Sequence, residues 1–160
     1  MHGIKHLLPL LFVFSLSLFA DAQVNDDFSD ADFTNNPTWN GADALYTVNA
    51  SGQVQTNDVV AGQAYLATPL VDGDLSGKEW QVWLKHGFAG SANNNSRYYL
   101  SSQIADLTFS GVQSIGANGY FLHLGEAGSN DAVRLFRDDN TGDAPTLILS
   151  AAEAGIAGSF

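Results

Sequence analysis

The sequence predicts an all-β fold, an antiparallel β-sandwich. It contains short strand-like runs, each bounded by Gly, Asn, Asp or Pro, which is typical of strands joined by turns. Helical periodicity is almost absent, and 16 glycines among 160 residues suit a fold with many turns. The predicted strands are Leu45–Val48, Gln53–Thr56, Ala64–Ala67, Glu79–Phe88, Arg97–Ile104, Tyr120–Leu124, Ala132–Arg137 and Thr146–Leu149.

The first 22 residues have the pattern of a secretory signal peptide. Lys5 precedes an apolar run of 13 residues, Leu7–Phe19, and Ala20-Asp21-Ala22 supplies the small residues expected before a cleavage site. The run is shorter than the ~20 residues that cross a bilayer as a helix. We therefore predict no transmembrane segment, and a mature β-sandwich domain over residues 23–160 that is secreted or held at the cell surface.

Charge and cysteine content exclude several classes of protein. The predicted leader contains one acid and one base, so its removal leaves the net charge at −11. The remaining bases are scattered among strands, which argues against nucleic acid as a partner. With no cysteine, disulfides, thiolate metal sites and cysteine nucleophiles are all excluded.

Alternation assigns faces to the longer predicted strands, because successive side chains of a strand point to opposite sides. Every second residue along each of these strands is, with few exceptions, apolar, and we predict that this set faces the core. They are Trp80, Val82, Leu84 and Phe88, then Tyr98, Leu100 and Ile104, then Tyr120, Leu122 and Leu124, and finally Val133 and Leu135.

The residues between them form a second face if these four strands are neighbours. Its aromatic residues are Trp83, Tyr99, Phe121 and Phe136, and its polar residues are Gln81, Lys85, Arg97, Gln103, His123 and Arg134. Sugars stack on aromatic planes while their hydroxyls bond to planar polar groups. We interpret Trp83, Arg97, Tyr99, Gln103, His123 and Arg134 as ligand-binding residues for a glycan or extracellular polymer. The alternative is that loops or a further domain cover this face and its aromatics are ordinary packing.

The loop between the predicted hairpin strands, Glu126–Asp131, offers oxygen ligands of the kind that calcium prefers. We predict that a calcium site would combine the N-terminal Asp26 or Asp27 with Glu126, Asn130 or Asp131 of this loop, and Asp27, Glu126 and Asp131 are the candidate metal ligands. The alternative is that Asn130 and Asp131 cap the turn through side-chain hydrogen bonds. The acidic run Asp138–Asp143 lacks the glycine and glutamate positions of a calcium loop, so we predict a hairpin turn there.

No catalytic signature is present in the sequence. Glu79 and Glu126 are isolated, so the carboxylate pair of a glycosidase is missing, and no G-x-S-x-G turn marks a serine nucleophile. His86 lies on the predicted core side of its strand and is expected to be a buried, hydrogen-bonded imidazole. His123 lies on the second face, among its aromatic and polar residues. We predict a protein that is not an enzyme, with no catalytic residues.

Three stretches resemble an N-terminal domain of large exported proteins from gliding, type IX-secreting bacteria, which also carry lamin-tail domains. They are Asp26–Trp39, Trp80–Lys85 and Gly119–Arg137. The resemblance implies a concanavalin A-like, laminin G-type jelly roll that acts as a non-catalytic surface module. Because Ala154–Phe160 provides no closing strand, we expect the chain to be the N-terminal part of a longer protein.

Two functions of different classes follow from the sequence. The first is a secreted recognition or adhesion module for a glycan or extracellular polymer. The alternative is an accessory N-terminal domain of an exported hydrolase, a nuclease or glycosidase, whose catalytic part lies elsewhere.

Overall fold

The computed structural model describes residues 24–70, 73–87, 90–109, 114–127, 131–139 and 141–152. Within these ranges the secondary structure is β1 (Asn40–Gly41), a 3-10 helix (Asp43–Leu45), β2 (Tyr46–Val48), β3 (Val54–Thr56), β4 (Leu66–Ala67), β5 (Ser96–Ser101), β6 (Gly119–Leu124), β7 (Arg134–Asp138) and β8 (Thr146–Ser150). All strand pairings among these residues are antiparallel. The predicted antiparallel all-β fold is confirmed, and its sheets are consistent with a sandwich. The predicted leader lies outside the described residues.

The largest sheet has the strand order β5-β6-β7-β8. It confirms both predicted hairpins, β6 with β7 and β7 with β8, and the strand bounds differ from the predicted ones by one or two residues there. Gly119 begins β6 where a side chain has no room, since a Cβ built there would lie 1.9 Å from the Ser101 carbonyl oxygen. Two smaller two-stranded sheets pair β1 with β4 and β2 with β3.

The predicted strand Glu79–Phe88 is wrong in the part that the structure describes, residues 79–87, where no strand forms. Trp80 and Val82, predicted to be core, are 40% and 53% exposed. Leu84 is half-buried, and Phe88 lies outside the described residues. Alternation gives a segment two distinct faces, but a strand also needs a neighbour for its backbone N–H and C=O groups. This segment pairs with no strand of the described chain.

The core lies mainly on the side of the large sheet that the sequence assigned to the outside. Phe121, predicted to point outward, is 1% exposed, whereas Tyr120, predicted to point inward, is 41% exposed. Ile104, also predicted to be core, is exposed, but Leu124 is buried as predicted. The connection from β5 to β6 explains the reversal, because its Phe109 packs over the Phe121 side and its Ala117 is fully buried.

Among the residues that the structure describes, no helix combines the length and the apolar character that crossing a membrane requires.

Candidate ligand-binding face of the four-stranded sheet

A row of polar side chains crosses all four strands of the large sheet on one face. Arg97 pairs with His123, His123 pairs with Arg134, and Arg134 pairs with Ser150. Residues directly opposite each other on antiparallel strands project to the same side. We call these four residues the polar row. The structure thus brings together three predicted ligand-binding residues and adds Ser150.

An aromatic row lies beside the polar row on the same face. Tyr99 pairs with Phe121, which pairs with Phe136. The Tyr99 and Phe121 ring centroids are 4.9 Å apart, and those of Phe121 and Phe136 are 5.4 Å apart with nearly parallel rings. Because Phe121 is buried, this row packs against the protein itself, as the alternative interpretation of these aromatics holds. Tyr99 and Phe136 remain half-buried.

Arg97 is held by aromatic rings on one side of the polar row. Its guanidinium carbon lies 4.0 Å from the centre of the Phe109 ring and 4.8 Å from that of Phe121. These are cation–π distances. Arg97 Nη1 also donates a hydrogen bond to the Tyr99 hydroxyl at 3.3 Å. Burial raises the pKa of Tyr99, and the bond from Arg97 partly opposes that shift.

Arg134 lies at the more accessible end of the row and forms an ion pair with Glu126. The Nη1 and Oε1 atoms are 2.5 Å apart, and the two side chains are 24% and 17% exposed. Arg134 Nε donates to the Ser150 hydroxyl at 3.3 Å, and Ser150 itself is exposed. A loop carboxylate is therefore bound at the end of the row that faces solvent.

His123 lies between the two arginines. Its pKa is lowered to about 4, mainly by burial and further by the charges of Arg97 and Arg134, while Asp131 opposes the shift. The imidazole is therefore neutral at pH 7. Its ring meets the Phe136 ring edge-on, with centroids 6.0 Å apart. A neutral imidazole supplies one donor and one acceptor, which suits hydroxyl groups.

The predicted metal ligands do not form one cluster. Among the described residues, no group of three or more His, Asp or Glu side chains is placed to hold a metal ion. Asp131 is 3% exposed and accepts a hydrogen bond from the Glu126 backbone N–H at 2.8 Å, so it caps the hairpin turn as the alternative predicted. Asp27 instead accepts the Ser29 N–H at 3.0 Å in a local turn, and bonds to Ser29 lower its pKa. Asn130 lies outside the described residues.

Two predicted ligand-binding residues are placed away from the row. Trp83 belongs to the segment without strand structure and is 66% exposed. Gln103 follows β5, where its backbone N–H donates to the Ala117 carbonyl at 2.7 Å and its side-chain oxygen accepts from Asn118 Nδ2 at 2.8 Å. Gln103 therefore joins the two ends of the β5–β6 connection.

Two further polar side chains are buried for structural reasons. His86 is 7% exposed with its Nε2 atom 3.0 Å from the Ser96 hydroxyl, which confirms the prediction of a buried, hydrogen-bonded imidazole. Asp138 is fully buried, accepts the Ser114 hydroxyl, and accepts the Ile115 N–H at 3.1 Å. Asp138 thus anchors the β5–β6 connection that covers the aromatic row.

The opposite face of the sheet carries an apolar groove of about 240 Å³. It is lined by Leu75, Trp80, Leu100, Ser101, Tyr120 and Leu135. Trp80 and Tyr120, both predicted to be core, contribute exposed aromatic surface here. The groove has almost no polar lining, so it suits an apolar partner better than a hydroxylated one.

The sequence interpretation missed Ser150 and Phe109 as parts of this face. Ser150 lies opposite Arg134 only because the β7–β8 register shifts by one residue between Leu135 and Phe136. Extending the register from the turn without that shift would have placed Leu149 there. No pattern marks Phe109, which is in an irregular connection.

No known protein-family model, curated protein or solved structure matches the chain.

Proposed function

We propose that the protein is a non-catalytic recognition or adhesion module, secreted or held at the cell surface, that binds a glycan or extracellular polymer through the polar row. The observation that carries the proposal is the alignment of Arg97, His123 and Arg134 across three strands of one sheet face. The predicted leader supports export, and the resemblance to laminin G-type domains agrees with a surface role.

The chemistry of the row supports polymer binding. Guanidinium groups offer several donors in a fixed plane, and neutral His123 adds a donor and an acceptor. The aromatic row, beside the polar row on the same face, packs against Arg97 through Phe121 and against His123 through Phe136, so these two groups are ordered before a ligand arrives. Preordering lowers the entropic cost of binding.

The test is binding of the purified protein to a panel of soluble polysaccharides, with two arginine variants as a matched pair. Arg134→Gln removes a cation from the row. Arg137→Gln removes one from the same strand, but Arg137 pairs with Tyr120 and its side chain is bonded to Asp139 at 3.1 Å. We expect only Arg134→Gln to weaken binding, by about tenfold. No binding to any polymer, or equal loss in both variants, refutes the proposal.

The apolar groove favours the rival function, an accessory domain of an exported hydrolase. In that case Trp80, Tyr120 and their neighbours pack against another part of the enzyme, as exposed apolar patches often do. The rival predicts that a hydrolase domain added to this protein reduces acrylamide quenching of the tryptophan fluorescence, to which exposed Trp80 contributes, and that Trp80→Phe lessens that protection. It also predicts that no polysaccharide binds the protein alone. Polysaccharide binding that depends on Arg134 is evidence against it.

A further inference from the structure

The polar row concentrates positive charge in a strongly acidic protein. The chain has a net charge of −11 and six Lys and Arg residues in all, yet two of the six lie in this row with one strand between them. Neighbouring strands are ~4.8 Å apart, so the Arg97 and Arg134 backbones are separated by about 10 Å. Two cations at this spacing, with an uncharged imidazole between them, favour anions at the same face. The protein's own Glu126, paired with Arg134, and buried Asp131, whose charge acts on His123, already supply carboxylates there, and of these only Glu126 is bound to an arginine of the row and partly accessible.

The row already binds one carboxylate from its own chain. Glu126 extends from the β6–β7 loop to Arg134, and both side chains are partly accessible to solvent. The pair is only partly exposed, at 24% and 17%, so breaking it without replacement would leave a partly buried charge unpaired. An incoming acid group of similar shape can replace Glu126 because it takes over the charge-assisted bond to Arg134.

We propose that the ligand of the polar row is an anionic polysaccharide, one that bears carboxylate or sulfate groups, and that Glu126 is a built-in competitor which the ligand displaces from Arg134. This inference rests on the proposed function and names the ligand class of the same site. Arg97, fixed over Phe109 and Phe121, orients the adjoining part of the polymer.

The protein's negative charge restricts where a polyanion can bind. At −11 the surface as a whole repels polyanions, so binding to one requires a local site. The two halves of the ion pair must also respond in opposite directions. Removing Arg134 removes the anion's partner, whereas removing the charge of Glu126 removes its competitor. A purely structural ion pair predicts similar losses from both changes.

The test uses dextran, carboxymethyl-dextran and dextran sulfate, which share one backbone and differ in charge. Affinity is measured by calorimetry at fixed ionic strength for the protein and for Glu126→Gln, Arg134→Gln, Arg134→Lys and the control Arg137→Gln. We expect an anionic dextran to bind at least about tenfold more tightly than dextran. Glu126→Gln should strengthen its binding by about 2- to 10-fold, and Arg134→Gln should weaken it by about tenfold.

The outcomes separate this inference from the proposed function. Binding of neutral and charged dextrans with equal affinity, or of neutral polymers only, overturns the anionic inference and leaves glycan recognition standing. Weaker binding by a folded Glu126→Gln variant overturns the competitor role. Absence of binding to every polymer, charged or neutral, overturns both. Arg134→Lys keeps the charge but not the planar fork, so an intermediate affinity supports the site even if Arg134→Gln is poorly folded.

Discussion

Acidification should destabilise the protein through His123. In the folded state its pKa is about 4, compared with 6.5 for an unperturbed histidine. As the pH falls through this interval, His123 therefore binds a proton in the unfolded chain but not in the folded one, which favours unfolding. The contribution of His123 is fully present above pH 6.5 and is lost progressively as the pH falls from 6.5 towards 4.

The magnitude follows from the same shift. Between pH 8 and pH 5, linkage gives about 2 kcal/mol for one histidine with these two pKa values. Since His123 is only half-buried, solvent screening reduces this to about 1 to 2 kcal/mol.

Urea unfolding at pH 8 and pH 5 measures the effect, with His123→Gln as the comparison. The variant keeps a polar group of similar reach but does not titrate. Burial also lowers the pKa of His86, so both proteins lose some stability on acidification, and the informative quantity is the difference between them. We expect the original protein to lose about 1 to 2 kcal/mol more than the variant. Equal losses would refute the argument that His123 is held neutral by burial and its two arginine neighbours.

Three further predictions concern the core and the carboxylates. Phe121→Ala should lower the free energy of unfolding by about 3 to 5 kcal/mol, because the ring is buried. The control Val59→Ala, at a 96% exposed site, should change it by less than about 0.5 kcal/mol. Equal effects in urea unfolding would contradict the burial of this face. Asp138→Ala should cost about 2 to 4 kcal/mol, since the Ser114 hydroxyl and the Ile115 N–H lose their buried acceptor, and an unchanged urea midpoint would show that they find another. EDTA should leave the melting temperature unchanged, because the described carboxylates form no three-ligand group, whereas a clear fall restored by Ca²⁺ would establish the calcium site that the sequence suggested.

Three of the four residues of the polar row, Arg97, His123 and Arg134, could be grouped from the sequence, and the reason is geometric. Side chains alternate with period two along a strand, and a short hairpin loop fixes which strands are neighbours. These two facts place His123 and Arg134 on one face, and the preceding strand adds Arg97. The structure confirms that grouping.

Which face is covered could not be predicted from alternation. That depends on where the β5–β6 connection packs, and its irregular sequence carries no periodic signal. Phe109 and Ala117 happen to cover the Phe121 side, so Phe121 becomes core and Tyr120 is exposed. The strand predicted around Trp83 does not form for a related reason. Alternation gives the segment two faces, but a strand also needs a hydrogen-bonded neighbour, which the pattern cannot supply.

The most direct test of the central claim is the site of ligand contact, mapped by NMR on the isotopically labelled protein. A polysaccharide that binds in the panel is titrated in, and backbone amide shifts are followed on both faces of the large sheet. Binding at the polar row predicts the largest changes at Arg97, His123 and Arg134. Changes confined to the apolar groove around Trp80 and Tyr120, with the polar row unaffected, would contradict it.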